Sequence, residues 1–550
     1  MKRWSLIGII LICTITSCAV ISYAQRESKK ITLSQYGLNG SSTGEQVYWV
    51  LYNAHKTAFD HGKTVDYTGI DTLRIEIPKN AKSIPLTSSN DFNGVVFLVT
   101  NKSKDLFLFE YENESKPITI SKADIDKGEF IKYKKLKEGK HLLCIKDQNP
   151  WVENRKGYKY GHIREDILLV INGKAKNTTV MPYNNDYSAT ECKYYEIDGK
   201  GFHFDNIVFN RTQECKYKTF LCHIKGVEGL EMNSVTATTP DNEWTYDRII
   251  DLEDCANVKF DNVRIDGTYS RNDFSGYGVQ MNNIWNFWAD HMYGHANWGI
   301  FGTNNVNTAR ITNSDINRFD IHCYGRDVHF EHVIFRNKYN SFSSVFGTIS
   351  FDDCTFINFV PIINDVSYNS YVGYDLVFNN CEYSTEHDTP VLLLDGYIDD
   401  DSNTRPEISK RCAPNVSINN LTMNIPKKAP NAYLFFFKEK GKHCNHAIDY
   451  MSNITINGLK FVYKGDEDRT PANFIISNVK INTTNEVRQD YNNIDTKSNS
   501  KRKASNRGKI IENISKGEPG NGRTSLNMEI IVPTVLILGA SVYGVKRWMA

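Results

Sequence analysis

One short phrase recurs along the chain and constrains its fold more than any other feature. Its eleven copies are "FHFDNIVF" (202–209), "LEMNSVTA" (230–237), "VKFDNVRI" (258–265), "FWADHMYG" (287–294), "ARITNSDI" (309–316), "VHFEHVIF" (328–335), "ISFDDCTF" (349–356), "LVFNNCEY" (376–383), "VSINNLTM" (416–423), "ITINGLKF" (454–461) and "FIISNVKI" (474–481). Each reads apolar-x-apolar, then two turn residues rich in Asp and Asn, then in most copies apolar-x-apolar again. Anchored on the third residue (204, 232, 260, 289, 311, 330, 351, 378, 418, 456, 476), the steps are 28, 28, 29, 22, 19, 21, 27, 40, 38 and 20 residues.

Alternation with period two predicts strand, turn, strand with one face buried. Asn suits a left-handed turn, and its side chain can hydrogen-bond along a stack of like turns. Units of 20-odd residues that bury their apolar face only by stacking make a solenoid. Three strands per coil with an Asn-bearing turn resemble the right-handed parallel β-helix of the pectate-lyase-like superfamily, over roughly residues 190–482. The expected class is therefore all-β. The steps of 40 and 38 predict long loops near 384–412 and 424–450.

This template reads the ionisable stretch "GRDVHFEHVIF" (325–335) mostly as scaffold. His332, like His291, falls on the turn position. Glu331 is the first turn residue, equivalent to Asp205 and Asp261. His329 points outward in a column with His203, Glu231, Lys259, Trp288, Arg310 and Ser350, whose neighbours are ~4.8 Å apart. Cys354 and Cys381, just after the turn, should stack as buried thiols.

Each coil needs a further strand upstream of its phrase. Candidates are "YYEIDG" (194–199), "FLCHIKG" (220–226), "RIIDLED" (248–254), "YGVQMNN" (277–283), "NWGIFGT" (297–303) and "FDIHCYG" (319–325). The resemblance implies that this first sheet floors a substrate groove. If Ile224, Leu252, Met281 and Cys323 point inward, His223, Asp251, Gln280 and His322 project outward in a file, flanked by Asp320, Glu253, Asn282 and Tyr324. Asp320 and His322 share a face about 7 Å apart, which suits acid–base work on a sugar, with Arg326 near to hold a carboxylate. Trp244, Tyr269, Tyr277, Trp285, Trp288, Tyr293 and Trp298 gather near these coils and can stack on sugar rings.

Signatures of particular enzymes are incomplete. "WADH" (288–291) is similar to the WxDH segment of pectate lyases, whose Asp helps bind calcium, but no RxPxxR segment accompanies it, and "NTRPEISKR" (403–411) has other spacing. The NTD, DD, GHG and RxK segments of polygalacturonases are missing. Calcium therefore stays a possible cofactor without a site, and the fold alone assigns no reaction.

Upstream, Ser42-Thr43-Gly44-Glu45 opens an amphipathic helix over 42–61 with Val47, Val50, Leu51, Ala54 and Ala58 on one face, placed to cap the solenoid. The runs "TLRIEI", "GVVFLVT", "DLFLFEY" and "ILLVING" predict irregular first coils or a small β lobe. Residues 122–164 carry twelve Lys/Arg against six acids, a local +6 in a chain whose formal net charge is +1. Such a field attracts a polyanion, whereas the overall balance excludes a nucleic-acid binder.

Both ends carry apolar runs. Residues 1–24 read as a secretory signal with a small-x-small site at Ser22-Tyr23-Ala24, or as a lipoprotein signal lipidated on Cys18. Residues 30–190 hold the cap, first coils and basic lobe, 191–482 the β-helix and 483–527 a polar spacer. Residues 528–550 read as a membrane anchor or sorting segment, apolar over 530–545 and closed by Lys546-Arg547. No CxxC occurs, and an exported chain permits disulfides, with Cys412–Cys444 or Cys215–Cys222 the expected pairs. The whole describes an exported, surface-tethered protein that cleaves an extracellular, acidic polysaccharide by lyase or hydrolase chemistry. In a lyase, Asp320 or His322 would take the proton and Arg326 neutralise the substrate carboxylate; in a hydrolase, Asp320 and Asp251 would form the carboxylate pair. The alternative is a non-catalytic glycan-binding or adhesive solenoid.

Overall fold

The anchor residues of the first ten phrases all turn inward, and the coil follows from that. In the computed structural model, Phe204, Met232, Phe260, Ala289, Ile311, Phe330, Phe351, Phe378, Ile418 and Ile456 are all at most 2% exposed. The structure describes residues 30–149, 163–180, 182–183, 190–239, 248–267, 276–295, 299–357, 360–364, 373–395, 410–411, 415–426, 428–429, 431–437, 448–449, 453–463, 473–475 and 487–495. The first ten phrases pair in parallel and in the register the sequence predicts, but the eleventh does not follow: Asn473–Ile475 pairs with Asn431–Tyr433 in sheet 1, and Val487–Asp495 takes the place beside Asn453–Tyr463. His203 lies beside Glu231, then Lys259, Trp288, Arg310, His329 and Ser350. This is a parallel β-helix.

Each coil has three faces. Sheet 1 contains Leu106–Glu112, Thr219–Lys225, the first parts of Ile250–Gly267, Tyr277–Asp290, Gly299–Thr312 and Phe319–Glu331, and then Asn340–Phe342. Sheet 2 holds the first half of each phrase and sheet 3 the second half. Like side chains stack inside: the Phe330 ring lies on Phe351 at 4.9 Å and Phe351 on Phe378 at 5.3 Å. Fully burying each such ring contributes roughly 1.5–3 kcal/mol.

The corner after sheet 2 behaves as predicted. Asn206, Ser234, Asn262, His291, Asn313, His332, Asp353, Asn380, Asn420 and Gly458 all have positive φ, and residue 478 of the last phrase lies outside the described residues. His291 and His332 are thus turn residues. The preceding position forms a side-chain ladder in which Asn379 donates to Asp352 at 2.6 Å, Asn419 to Asn379 at 2.8 Å and Asn457 to Asn419 at 2.9 Å.

A second left-handed corner, which the repeat did not announce, separates sheet 1 from sheet 2. It stacks Gly226, Asp254, Asn283, Asn305, Tyr324 and Ser344, and three residues on Gly229, Asn257, Asn286, Thr308, Asp327 and Gly347. Asn283 donates to Asp254 and Asn286 to Asn257, both at 2.7 Å.

The coil starts well before residue 190. Thr72–Ile77, Ser89–Asn101 and Leu106–Glu112 are already parallel strands of it. "YYEIDG" is not a first-sheet strand. It belongs to an antiparallel lobe inserted between Glu112 and Phe202, ordered Lys174–Ala175, Glu165–Ile171, Lys140–Asp147, Thr190–Ile197, Ser115–Ile118. The lobe docks through Leu142, Cys144, Ile167, Leu169 and Tyr195 on Ala256 and Trp285. Lys193 and Tyr195 reach the buried Asp254 at 2.6 and 2.7 Å.

The helix Gly44–His61 buries Val47, Val50, Leu51, Ala54 and Ala58. Its N-cap is Thr43, whose N–H donates to Gln46 Oε1 at 2.8 Å, one residue later than the sequence pattern suggests. Val487–Asp495 pairs in parallel with Asn453–Tyr463, so a strand occupies part of the stretch read as spacer. Cys215 and Cys222 are free buried thiols, as are Cys354 and Cys381, so the 215–222 disulfide is not made. Cys412, Cys444 and both terminal apolar runs lie outside the described residues. Among the described residues no helix is long and apolar enough to cross a membrane.

Candidate functional site

The outer face of sheet 1 carries the polar groups that solvent does not reach. His223, Asp251, Gln280, Gly302, Asp320 and Ser341 follow one another in register, one per coil. Ile224, Leu252 and Met281 point inward as expected and are fully buried, but Ile321 and not Cys323 continues their column, so Asp320 and not His322 continues the outward file. Yet the outward His223, Asp251 and Gln280 are only 5–6% exposed, and Asp320 is 0% exposed.

Two clusters occupy this file. The first centres on Asp320. Arg318 Nη2 lies 2.6 Å from its Oδ2, the Tyr277 hydroxyl donates to the same oxygen, and His322 Nε2 is 3.2 Å away. His322 Nε2 also lies 2.7 Å from the Tyr277 oxygen, and the Arg318 guanidinium sits over the Tyr339 ring at 4.4 Å. Burial pushes the Asp320 carboxyl up, but Arg318 foremost, then His322 and Tyr277, hold it well below the usual carboxylate range. Tyr277 gets there by lying across the next coil, where Gly302 makes room. A Cβ on Gly302 would meet the Tyr277 ring at 2.3 Å. His322 is not a regular member of the file. The pairing skips it, from Thr303–Ile321 to Asn304–Cys323, and this bulge swings its ring beside Asp320.

The second cluster surrounds His223. Its Nδ1 lies 3.0 Å from Asp251 Oδ2 and its Nε2 3.4 Å from Glu112 Oε1, while Arg248 Nη1 is 3.1 Å from Asp251 Oδ2. Burial opposes charge on His223, but hydrogen bonds to Asp251 and Glu112 raise it to about 9.

The remaining predicted residues separate. Asp251 and Asp320 stand three coils apart, about 14 Å at ~4.8 Å per strand, beyond the spacing of a glycosidase pair. Arg326 does not approach Asp320. It lies past the second corner, donating to the lobe's Val180 carbonyl at 3.2 Å and pairing with Asp327 at 3.2 Å. Tyr324 is itself a corner residue, with φ 61° and 1% exposure, and does not flank the sheet face. Gln280 donates to Asn282 at 3.5 Å. Trp298 lies outside the described residues.

Sequence reasoning missed Arg318, although "RFDIH" (318–322) alternates polar and apolar and so announces Arg318, Asp320 and His322 together. It also missed Arg248 and Glu112, which no spacing within the phrase points to.

Trp288 sits in a shallow depression of about 320 Å³ on sheet 2, lined also by Asp290, Arg310, Thr312, Asn313, Glu331 and His332. Lys259 Nζ stands 4.7 Å above its ring. Asp290 is a corner residue already engaged: its Oδ1 accepts from Thr312 at 2.6 Å and Asn313 at 2.8 Å, and its Oδ2 lies 2.8 Å from His291 Nδ1.

No protein-family profile and no curated protein matches the chain. Among solved structures it is similar to the tailspike protein gp49 from Pseudomonas phage LKA1, at 12% identity and a TM-score of 0.53, covering 81% of this chain and 80% of that one. It is also similar to the tailspike gp61 of Pseudomonas phage phi297 (11% identity, TM-score 0.41, 79% and 81% covered). A third is the gp54 tailspike of Acinetobacter baumannii bacteriophage AP22, solved in complex with A. baumannii capsular saccharide (12%, 0.40, 79% and 70%). At 12% identity the first of these speaks to the fold, the right-handed parallel β-helix related to pectate-lyase-like folds.

Proposed function

We propose that this chain is an exported, surface-tethered carbohydrate-active protein that cleaves an acidic extracellular polysaccharide by β-elimination at His322. The observation that carries this reading is the Arg318–Asp320–His322–Tyr277 cluster on the outer face of sheet 1. His322 is its accessible member, with 19% of its side chain exposed beside a fully buried Asp320. With Nε2 held by Asp320 and Tyr277, we assign the proton transfer to Nδ1. That nitrogen takes the proton α to a uronate carboxylate. The freed electron pair forms the C4–C5 double bond as the C4–O4 bond breaks, and the imidazolium returns the proton to O4. Asp320 orients the ring, the role a buried carboxylate plays beside a catalytic histidine. The fold shared with the gp49 tailspike agrees with a glycan substrate, and the apolar runs at residues 6–21 and 530–545 support export and tethering.

Purified full-length chain should generate ultraviolet-absorbing unsaturated ends from at least one member of a panel of acidic polysaccharides. His322→Ala should abolish this while leaving the thermal melt in place. Full activity in that variant would sink the assignment. A second reading rests on the Trp288 depression, where an aromatic face among charged groups suits glycan retention without cleavage. Saturable glycan binding, lost in Trp288→Ala and accompanied by no new chain ends, would support it instead.

A further inference from the structure

We propose that Glu110, Glu112 and His223 hold a divalent transition-metal ion on the outer face of sheet 1, where the inserted lobe leaves the coil. Their ligand atoms all lie within 4.8 Å of one another, each residue offering one donor, so small side-chain rotations bring three donors around one ion. The backbone supports this rigidly. His223 is paired directly with Glu110 across adjacent parallel strands, and Glu112 lies two residues on, on the same face.

The surroundings fit a metal-ligating histidine. A ligating imidazole characteristically gives its other nitrogen to a carboxylate that fixes ring orientation. Here His223 turns Nε2 towards the glutamates and Nδ1 towards Asp251 at 3.0 Å, and Arg248 braces Asp251 at 3.1 Å. Asp251 is 5% exposed, and the Phe107 ring, 5.2 Å from the imidazole, walls one side. Once His223 has given up its proton to ligate, the three carboxylates of Glu110, Glu112 and Asp251 against the Arg248 guanidinium leave two negative charges, which a divalent ion neutralises. Glu112 is 49% exposed, so the site opens to solvent and retains positions for water or an anionic ligand. One imidazole nitrogen with two carboxylate oxygens favours zinc-class ions over calcium, which prefers an all-oxygen shell. The site is four coils from Asp320, roughly 19 Å, so it is separate from the chemistry at His322.

The test uses full-length protein stripped with chelator, titrated calorimetrically with Zn2+ and followed by visible absorption with Co2+. The expected result is one saturable equivalent, with the cobalt bands of a nitrogen-and-oxygen site. Affinity should fall at least ~100-fold in Glu110→Gln/Glu112→Gln, whose side chains keep their size, and ~10–100-fold in Asp251→Asn. Absence of saturable binding would overturn the proposal. So would binding indifferent to the glutamine pair, binding lost instead in Asp290→Asn (the Asp261–Asp290–His291 cluster), or equal competition by Ca2+.

Discussion

Two outward columns of this coil have the same backbone, the same spacing and a similar mixture of acids and bases, yet they differ in almost every chemical respect. The sheet 2 column is solvated at its start and partly exposed along most of its length, closing only at Ser350: the side chains of His203 and Glu231, 3.6 Å apart, are 42% and 54% exposed. The sheet 1 column is dry: His223 and Asp251 are 6% and 7% exposed, Arg318 and Asp320 4% and 0%. Exposed pairs contribute about 0–1 kcal/mol, because water and salt screen them and side-chain entropy opposes them. Withdrawing an ion from water costs several kcal/mol, which only close, well-directed partners offset. The lesson is that periodicity places side chains, but desolvation decides which of them can do chemistry.

The most forceful way to break the comparison is to remove one charge from each column. Asp320→Asn leaves Arg318 buried without its counter-charge and should cost about 3–5 kcal/mol in denaturant unfolding. Arg310→Ala, which ends the exposed pair with Glu331, should cost under about 1 kcal/mol. Equal losses would mean that burial does not separate the columns. Asp320 also sets a pH signature. Its folded-state pKa is depressed, so its stabilisation is complete above the ordinary Asp value of ~3.9 and fades as pH falls below it. Acid unfolding in that range should be shallower in Asp320→Asn than in wild type.

Next come two variants that leave the charges and move only what surrounds them. Tyr277→Phe deletes the hydroxyl shared by Asp320 and His322. It should lower turnover at least ~10-fold if that contact orients His322, with a stability change of only about 0.5–1.5 kcal/mol. Gly302→Ala forces the Tyr277 ring off its seat and should cost about 1–3 kcal/mol and at least ~10-fold in activity. Activity retained in both would make the tyrosine a mere lid.

The two columns were also unequally legible. The scaffold was readable because it repeats: apolar alternation fixed the faces of residues 202–461, and the Asn positions marked the left-handed corner through His291 and His332. The second corner carries a similar signal at a three-residue offset (Asp254/Asn257, Asn283/Asn286), but no apolar phrase frames it. The site was legible only in part. Asp320, His322, His223 and Asp251 lay on the right sheet, because alternation puts them there. Their partners come from elsewhere: Tyr277 reaches across two coils through the gap at Gly302, and Glu112 lies on the far side of the inserted lobe. Arg326 failed for the converse reason. It is near His322 in sequence, but the second corner turns it towards the lobe. A bend of the backbone is invisible to a period count.

The smallest expected effect separates the two histidine classes. His332 occupies a left-handed corner with φ 54°, and its contacts with Glu331 and Asp353 are long, at 3.9 and 3.8 Å. Asn is better suited to that backbone and is what the equivalent corners at 206, 262, 313, 380 and 420 use. His332→Asn should therefore shift stability by no more than about 0.5 kcal/mol, in the stabilising direction, and leave turnover unchanged. His322→Asn, ten residues earlier and at a bulge instead of a corner, should abolish turnover, because Asn cannot accept and return a proton at that place. A loss of activity in His332→Asn with an intact melt would move the chemistry to the Trp288 depression, which His332 lines, and would make the solvated column the working one.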